Sequence, residues 1–443
     1  MKKKTFHLIS LGCAKNTVDS NSMARLLMQS GYQAVANPKQ AEIMIVNTCG
    51  FIKPARDEAI ETLHELSDLK KSGQVLLAAG CMAERFGGQI AAACPKVDGV
   101  LGTLHIPEIL SLIERLQDRG KRPELPVRDL PALAALASPL VHQFAPQGAS
   151  AYLKIADGCS RRCAFCSIPL IKGNWRSRPA EEILRDAAIL QDMGTQELIL
   201  IAQDTTAYAQ DRGEKDALPG LIEAILKAAP EIPWLRILYA FPGFVSERLV
   251  DLMAASSVIQ PYLDIPLQHA HPEVLRRMRR PDDMTWVRET IAAMREKIPG
   301  IAIRSTFITG FPGETESEFA ALYDFLEEMK FDRVGVFPYY PEEGTASAAL
   351  GDTVPEAVKN ERLDLLMRRQ QEISHAINRS FIGKTLNVLI EGEQDGVMVG
   401  RSYRDAPEID GLVFVDGAAA PGEIIPVRIN SALEYDLIGK VVG

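Results

Sequence analysis

The chain has 443 residues, enough for about three domains at roughly 150 residues each. Hydrophobic residues make up 47% and charged residues 24%, an ordinary globular balance that excludes wholesale disorder. With 49 Lys and Arg against 58 Asp and Glu the formal charge is −9, the wrong sign for a chain that grips nucleic acid over most of its surface.

Residues 1–121 alternate strand-like and helix-like patterns. Thr5–Ser10, Glu42–Asn47 and Gln74–Ala79 read as short apolar strands, and Asp19–Gln29, Ala55–Lys70 and Ile106–Arg119 carry the three-to-four spacing of amphipathic helices. That alternation predicts an N-terminal parallel α/β sheet domain. Pro123, Pro126, Pro131, Pro139 and Pro146 then crowd a stretch with little periodicity, so 122–144 reads as a linker. Residues 145–377 alternate again. Strands are expected at Tyr152–Ile155, Glu197–Ala202, Leu235–Tyr239, Tyr262–Ile265, Ala302–Phe307 and Arg333–Pro338, with helices such as Ala180–Met193, Leu218–Ala229 and Glu316–Met329 between them. Six such units predict a partial (β/α)6 barrel whose chemistry gathers at the strand C-terminal ends. A charged helix over Val354–Asn378 closes it. In 378–443 the short strands Leu386–Ile390, Met398–Arg401, Gly411–Val415 and Ile424–Arg428, with Gly-rich turns, predict a small antiparallel β-barrel.

No apolar run approaches the ~20 residues of a membrane helix. The apolar stretch Phe6–Leu11 contains His7 and falls short of the about 7–15 residues an export signal needs. A cytoplasmic location is therefore expected, and there the seven cysteines would be reduced: free, metal-bound or catalytic. Cys159, Cys163 and Cys166 form CxxxCxxC directly after the first strand of the second segment. Thiolates at that spacing can close around one metal centre. A zinc ribbon would want a second CxxC and a c-type haem CxxCH, but Ser167 follows Cys166. Three thiolates without a fourth suit a four-iron cluster with one iron left open for a ligand. Cys13, Cys49 and Cys81 look scattered, yet each falls just past an expected strand (LISLGC, MIVNTC, LLAAGC). Parallel strands bring those ends to one edge, so the three thiols are expected to converge on a second centre, with Gly12, Gly50 and Gly80 permitting tight turns. Cys94 has no partner pattern and reads as a bystander.

These motifs resemble the radical S-adenosylmethionine methylthiotransferases: a three-cysteine N-terminal domain, a radical core and a TRAM-like barrel. The family divides into a branch that modifies adenosine in tRNA and a branch that modifies an aspartate of the small-subunit ribosomal protein number twelve. LGCAKNTVDSN is similar to the ribosomal branch at Lys15, Asn16, Val18, Asp19 and Ser20, and departs at Ala14 and Asn21. AQDTTAY from Ala202, YLDIPLQHA from Tyr262 and VGVFPYYPEEGT from Val334 also resemble that branch, while IKGNWRSRP carries Lys172 where an Arg is expected. The 378–443 segment points the same way: six Lys and Arg against ten Asp and Glu suit a basic protein partner better than tRNA.

The resemblance implies two [4Fe-4S] clusters, one on Cys159, Cys163 and Cys166 and one on Cys13, Cys49 and Cys81, facing each other across the substrate. It also implies two S-adenosylmethionine molecules per turnover, one a radical source and one a methyl donor. Candidate cofactor-binding residues are Phe165 beside the ligands, Gln203, Asp204 and Thr205 at the end of the second strand, Arg304 for the cofactor carboxylate, and Gly310 and Gly313 in GFPGET, where glycine allows close backbone approach. Plain capping, turn or rim roles remain open for each. Arg276, Arg277, Arg279 and Arg280 form a basic cluster, either a solvated face or a contact to rRNA. His269 and His271 read as cleft-lining or satisfied histidines. Expected partners are the ribosomal protein, a flavodoxin-type electron donor and a sulfur donor, with a monomeric enzyme and no membrane. The rival readings are the tRNA adenosine enzyme and a non-catalytic protein that binds structural zinc and RNA.

Overall fold

The computed structural model describes residues 4–118 and 143–442, so the expected linker lies outside the described residues save for Gln143 and Phe144. The chain divides into two interleaved compact units: Met1–Ala145, Tyr152–Arg161 and Ser167–Asp186 in the first, and Pro146–Ala151, Arg162–Cys166 and Ala187–Gly443 in the second.

In the first unit, strands β1 (Thr5–Ser10), β2 (Gln33–Ala34), β3 (Ile43–Thr48), β4 (Val75–Gly80) and β5 (Gly99–Gly102) form a sheet in the order β2-β1-β3-β4-β5. The pairs are parallel. Every residue of β3 and β4 is buried, as helices on both faces require. The period-two alternation splits the strands cleanly. Ile43, Ile45 and Leu77 pack with α1 (Ala14–Gln29) and α4 (Ile109–Asp118) through Met23, Leu27, Ile109 and Leu112. Met44, Val46, Leu76 and Ala78 pack with α2 (Lys53–Leu69) and α3 (Cys81–Ala93) through Leu63 and Ile90. Strands β6 (Phe144–Gln147), β7 (Ser150–Lys154), β8 (Ala156–Asp157) and β9 (Arg176–Ser177), with helices α5 (Ile168–Lys172) and α6 (Ala180–Asp192), follow in the chain.

In the second unit β10 (Glu197–Ile201), β11 (Trp234–Ile237), β12 (Ile259–Asp264), β13 (Ala302–Thr309) and β14 (Arg333–Pro338) pair in parallel succession. They continue a seven-stranded sheet in the order β14-β13-β12-β11-β10-β7-β6. Helices α7 (Leu218–Ala228), α8 (Glu247–Ala255), α9 (Pro272–Arg277), α10 (Met284–Lys297) and α11 (Glu316–Met329) lie between the strands in sequence. Thr315 and Glu318 close a capping box that starts α11. The long helix α12 (Glu356–Arg379) leads to a closed barrel of β15 (Thr385–Gln394), β16 (Val397–Ser402), β17 (Val413–Asp416), β18 (Ile424–Ala432) and β19 (Leu437–Val441). The barrel is antiparallel except for one parallel pair, β17 with β19.

The barrel segment 401–410 is stitched to the core strands by buried charges. Glu197 on β10 accepts from Arg401 Nη2 and Arg236 Nε, each at 2.7 Å. Arg236 on β11 also donates to the Tyr403 carbonyl at 2.7 Å. Tyr262 on β12 donates to Asp410 at 2.7 Å, and Arg304 on β13 lies 3.3 Å from the same carboxylate. Arg333 on β14 bonds Asp405 at 2.6 Å, and Arg404 pairs with Asp332 at 3.0 Å. Burial alone would push the Glu197 carboxyl up, but Arg236 and Arg401 overcome it and hold it at about 2. No helix among the described residues is long and apolar enough to cross a membrane.

Candidate functional site

Strands β1, β3 and β4 are neighbours in register, Ser10 beside Asn47 and Asn47 beside Ala79. Their C-terminal ends therefore open at one edge, and the three cysteines leave from it. Cys13 sits at the N-cap of α1, Cys49 follows β3 directly, and Cys81 begins α3 directly after β4. Chain packing there leaves no room for side chains at the adjacent glycines. A Cβ on Gly12 would stand 2.9 Å from Cys49 Cβ, and one on Gly50 would stand 2.8 Å from the Cys81 carbonyl carbon. Gly80, at φ +96°, could not carry a Cβ without meeting Asn47 Oδ1 at 2.1 Å.

Asn16, one turn into α1, ties the three ends together. Its Nδ2 donates to Leu11 O at 2.9 Å and Thr48 O at 3.2 Å, and its Oδ1 accepts from the Cys81 thiol at 3.2 Å. The amide orientation is fixed because carbonyls only accept. Asn47 in turn donates to Asn16 O and to Ser20 Oγ, each at 2.8 Å.

The thiols feel one another. Burial pushes Cys49 up to about 11, with the Cys13 charge adding to the shift. Cys81 is also raised, by burial first, with Lys172 opposing and Cys13 and Cys49 reinforcing. Cys49 and Cys81 thus resist becoming anions on their own, and a bound cation that displaces their protons would relieve that cost. Among the described residues no group of three His, Cys, Asp or Glu side chains surrounds a single-ion volume. Three cysteine thiols leaving one sheet edge are the donor chemistry that a thiolate-held cluster takes.

Behind Cys81 lies a buried charge network. Lys172 Nζ reaches Thr103 Oγ1 at 2.6 Å, Asp19 Oδ2 at 2.7 Å and Asp157 Oδ2 at 3.3 Å. Lys154 Nζ reaches the same two carboxylates at 2.5 and 3.2 Å. A tetrahedral ammonium with three donors satisfies three scattered acceptors, which accounts for Lys where a planar guanidinium was expected. Burial pulls Lys172 down, but Asp157 and Asp19 outweigh it and its pKa is raised.

In the CxxxCxxC loop, Cys159 is buried and its N–H donates to Gly173 O at 3.1 Å. Cys163 and Cys166 share one turn, the Cys166 N–H donating to Cys163 O at 3.2 Å. Phe165 packs against the buried cluster of Ala164, Val274, Met278, Phe311 and Tyr339. At the end of β10, Asp204 accepts from Thr206 Oγ1, and Thr205 Oγ1 donates to Leu238 O at 2.9 Å. Arg304 is paired with Asp410 and, at 3.5 Å, Asp264. Gly310 has φ +70° with the Lys359 side chain against its open face, and the Gly313 N–H donates to Thr353 Oγ1 at 2.7 Å.

The basic run dissolves into separate partners. Arg276 pairs with Glu273 and Asp282, Arg277 with Glu318, and Arg280 turns inward. His269 is buried, its Nδ1 accepting the His271 N–H at 3.0 Å, and His271 caps α9. Cys94 is a core thiol 3.8 Å from His64 Nε2. Sequence reasoning matched Asn16 only as a motif letter and missed Lys154 and Asp157. Asn three residues after Cys13 was the one local signal available.

Three family profiles match in order: "Uncharacterized protein family UPF0004" over 5–102, the Radical SAM superfamily over 153–326 and the TRAM domain over 382–442. The core thus defines a radical S-adenosylmethionine enzyme, a class that carries a [4Fe-4S] cluster and binds S-adenosylmethionine. "Ribosomal protein uS12 methylthiotransferase RimO" from Roseiflexus sp. (strain RS-1) is 46% identical, over 99% of this chain and 97% of that one. The protein of the same name from Chloroflexus aurantiacus is 44% identical, over 99% of this chain and 100% of that one. The chain belongs to the RimO methylthiotransferase family. Among solved structures, the radical S-adenosylmethionine methyltransferase TsrM from Kitasatospora setae shares the fold, with TM-score 0.55 and 14% identity over 87% of this chain and 81% of that chain.

Proposed function

We propose that this chain adds a methylthio group to the β-carbon of an aspartate in the small-subunit ribosomal protein uS12, consuming two S-adenosylmethionine per turnover. Convergence of Cys13, Cys49 and Cys81 at one sheet edge carries the reading. Radical chemistry alone needs only the CxxxCxxC loop, whereas sulfur insertion needs a second place to hold sulfur. When bound, the loop cluster supplies electrons to S-adenosylmethionine and the sheet-edge cluster holds transferable sulfur. The chain's residues do the rest. Asn16 fixes the three strand ends, and the Lys154, Lys172, Asp19 and Asp157 network holds buried charge beside Cys81 without a net excess. Phe165, Gln203, Asp204, Thr205 and Gly313 are the candidates to face the cofactor. Arg304 and Gly310 already have partners inside the protein that account for them.

The C-terminal barrel supports a basic protein as substrate. Arg401 and Arg404 are buried in ion pairs, so its exposed face carries seven carboxylates against Arg379, Lys384, Arg428 and Lys440. Such a face repels a phosphate backbone and attracts a cationic protein. A flavodoxin-type reductant, a separate sulfur donor, a monomeric state and a cytoplasmic location complete the proposal. The test is mass spectrometry of uS12 and of tRNA after anaerobic incubation with reconstituted enzyme, S-adenosylmethionine, reductant and sulfide. A methylthio adduct on uS12 aspartate supports it. An adduct on tRNA adenosine, or on neither, overturns it.

A further inference from the structure

Arg280 is a buried cation without an anion. The residue is 9% exposed, yet among the described residues no carboxylate pairs with it. Its guanidinium stacks on Phe241, 4.2 Å from the ring centroid, Nη2 donates to the Pro266 carbonyl just beyond β12, and Nε has no hydrogen-bond partner among the described residues. Arg236, Arg333 and Arg362, buried in the same unit, each face a carboxylate. Burying an uncompensated charge is costly, so the position calls for an anion. The group standing there is the Cys163 sulfur, 3.7 Å from Nη1.

The backbone aims this contact. Arg279 adopts φ +56°, and the Arg280 N–H closes on Leu275 O at 2.9 Å, which turns the chain out of α9. On the same turn the Met278 carbonyl accepts the Ala164 N–H at 2.8 Å, so one turn grips both the backbone and the sulfur of the loop. An ammonium could not share itself between a carbonyl and a sulfur while stacking flat on a ring, which is what the guanidinium does.

We propose that Arg280 is a positioning residue for the loop cluster: it supplies the missing counter-charge at Cys163, fixes that ligand relative to the end of β12, and makes the cluster easier to reduce. The inference rests on reading Cys159, Cys163 and Cys166 as cluster ligands. One-electron reduction adds a negative charge to a thiolate-bound cluster, and a fixed N–H donor and cation at one sulfur favour that more anionic state.

The experiment uses the full-length chain carrying Cys13→Ala, Cys49→Ala and Cys81→Ala, so that the loop cluster is the one read. After anaerobic reconstitution it is titrated with dithionite and followed by electron paramagnetic resonance. Arg280→Gln should lower the equilibrium constant for reduction about tenfold, equivalent to about 59 mV, at unchanged iron content. Arg280→Lys should fall between the two. Because Arg280→Gln can fail to retain iron, a second measurement needs no substitution there. The same chain made with heavy-nitrogen-labelled arginine should show nitrogen hyperfine coupling in the pulsed spectrum of the reduced cluster. Reduction of Arg280→Gln within twofold of the parent, or absence of that coupling, overturns the proposal. A parent chain without iron or an absorption band near ~400 nm would instead sink the cluster reading itself, and the inference with it.

Discussion

Replacing Glu197 by Gln tests how the C-terminal barrel is joined to the core. Glu197 is fully buried between Arg236 and Arg401, and the amide keeps its shape while removing its charge. Two estimates of the cost agree. The carboxyl titrates at about 2 in the folded chain against 4.5 as reference; at 1.36 kcal/mol per unit that is roughly 3 kcal/mol. Breaking a buried ion pair by removing one partner costs about 3–5 kcal/mol. The sign in pH follows from the depressed folded pKa. The contribution is complete above the unfolded value near 4.5 and drains away as pH falls toward 2. Urea unfolding of the cluster-free chain, followed by tryptophan fluorescence, to which Trp234 at the start of β11 contributes, should therefore show Glu197→Gln about 3 kcal/mol less stable at pH 7. The gap should close as the pH is lowered below about 5. A gap under about 1 kcal/mol at pH 7, or one that widens in acid, would show that the Glu197 charge does not hold the barrel to the core.

Asn16→Leu strands the Leu11 and Thr48 carbonyls without donors, at about 1–3 kcal/mol each, and should halve the iron bound on reconstitution while the loop's share persists. Asp19→Asn leaves Lys154 and Lys172 with one carboxylate between them. It should cost about 3–5 kcal/mol in urea unfolding, and a loss no larger than that of an exposed pair would contradict the network. Gly80→Ala forces a Cβ onto Asn47 Oδ1 and the Thr48 backbone at positive φ. Soluble yield and iron content should both fall, whereas Gly73→Ala, with open space around it, should keep its iron.

What the sequence announced and what it hid divide along a physical line. β1, β14 and α11 could be read off the sequence to the residue, because apolar runs and the Thr315–Glu318 cap are local signals. Helix α3 was missed: Gly87 and Gly88 weaken its propensity, and Phe86 is non-helical inside it. β2, β5 and β19 were missed as well, having two, four and five residues. That Cys13, Cys49 and Cys81 leave from one sheet edge was accessible because strand ends in a parallel sheet lie side by side. The partners of Asp19 and Arg304 were not. Lys154 lies 135 residues from Asp19 and Asp410 lies 106 from Arg304, and pairings that distant leave no periodicity to detect. The same holds for Arg280, which in sequence is one of four arginines and in space is alone at a sulfur.

The most direct measurement is iron and product on the same samples. Two clusters should give about eight irons per reconstituted chain, about four when Cys13, Cys49 and Cys81 are replaced by Ala, and in that variant continued cleavage of S-adenosylmethionine with no methylthiolated uS12. Methylthiolated product from the variant, or equal iron in both proteins, would contradict the two-cluster reading.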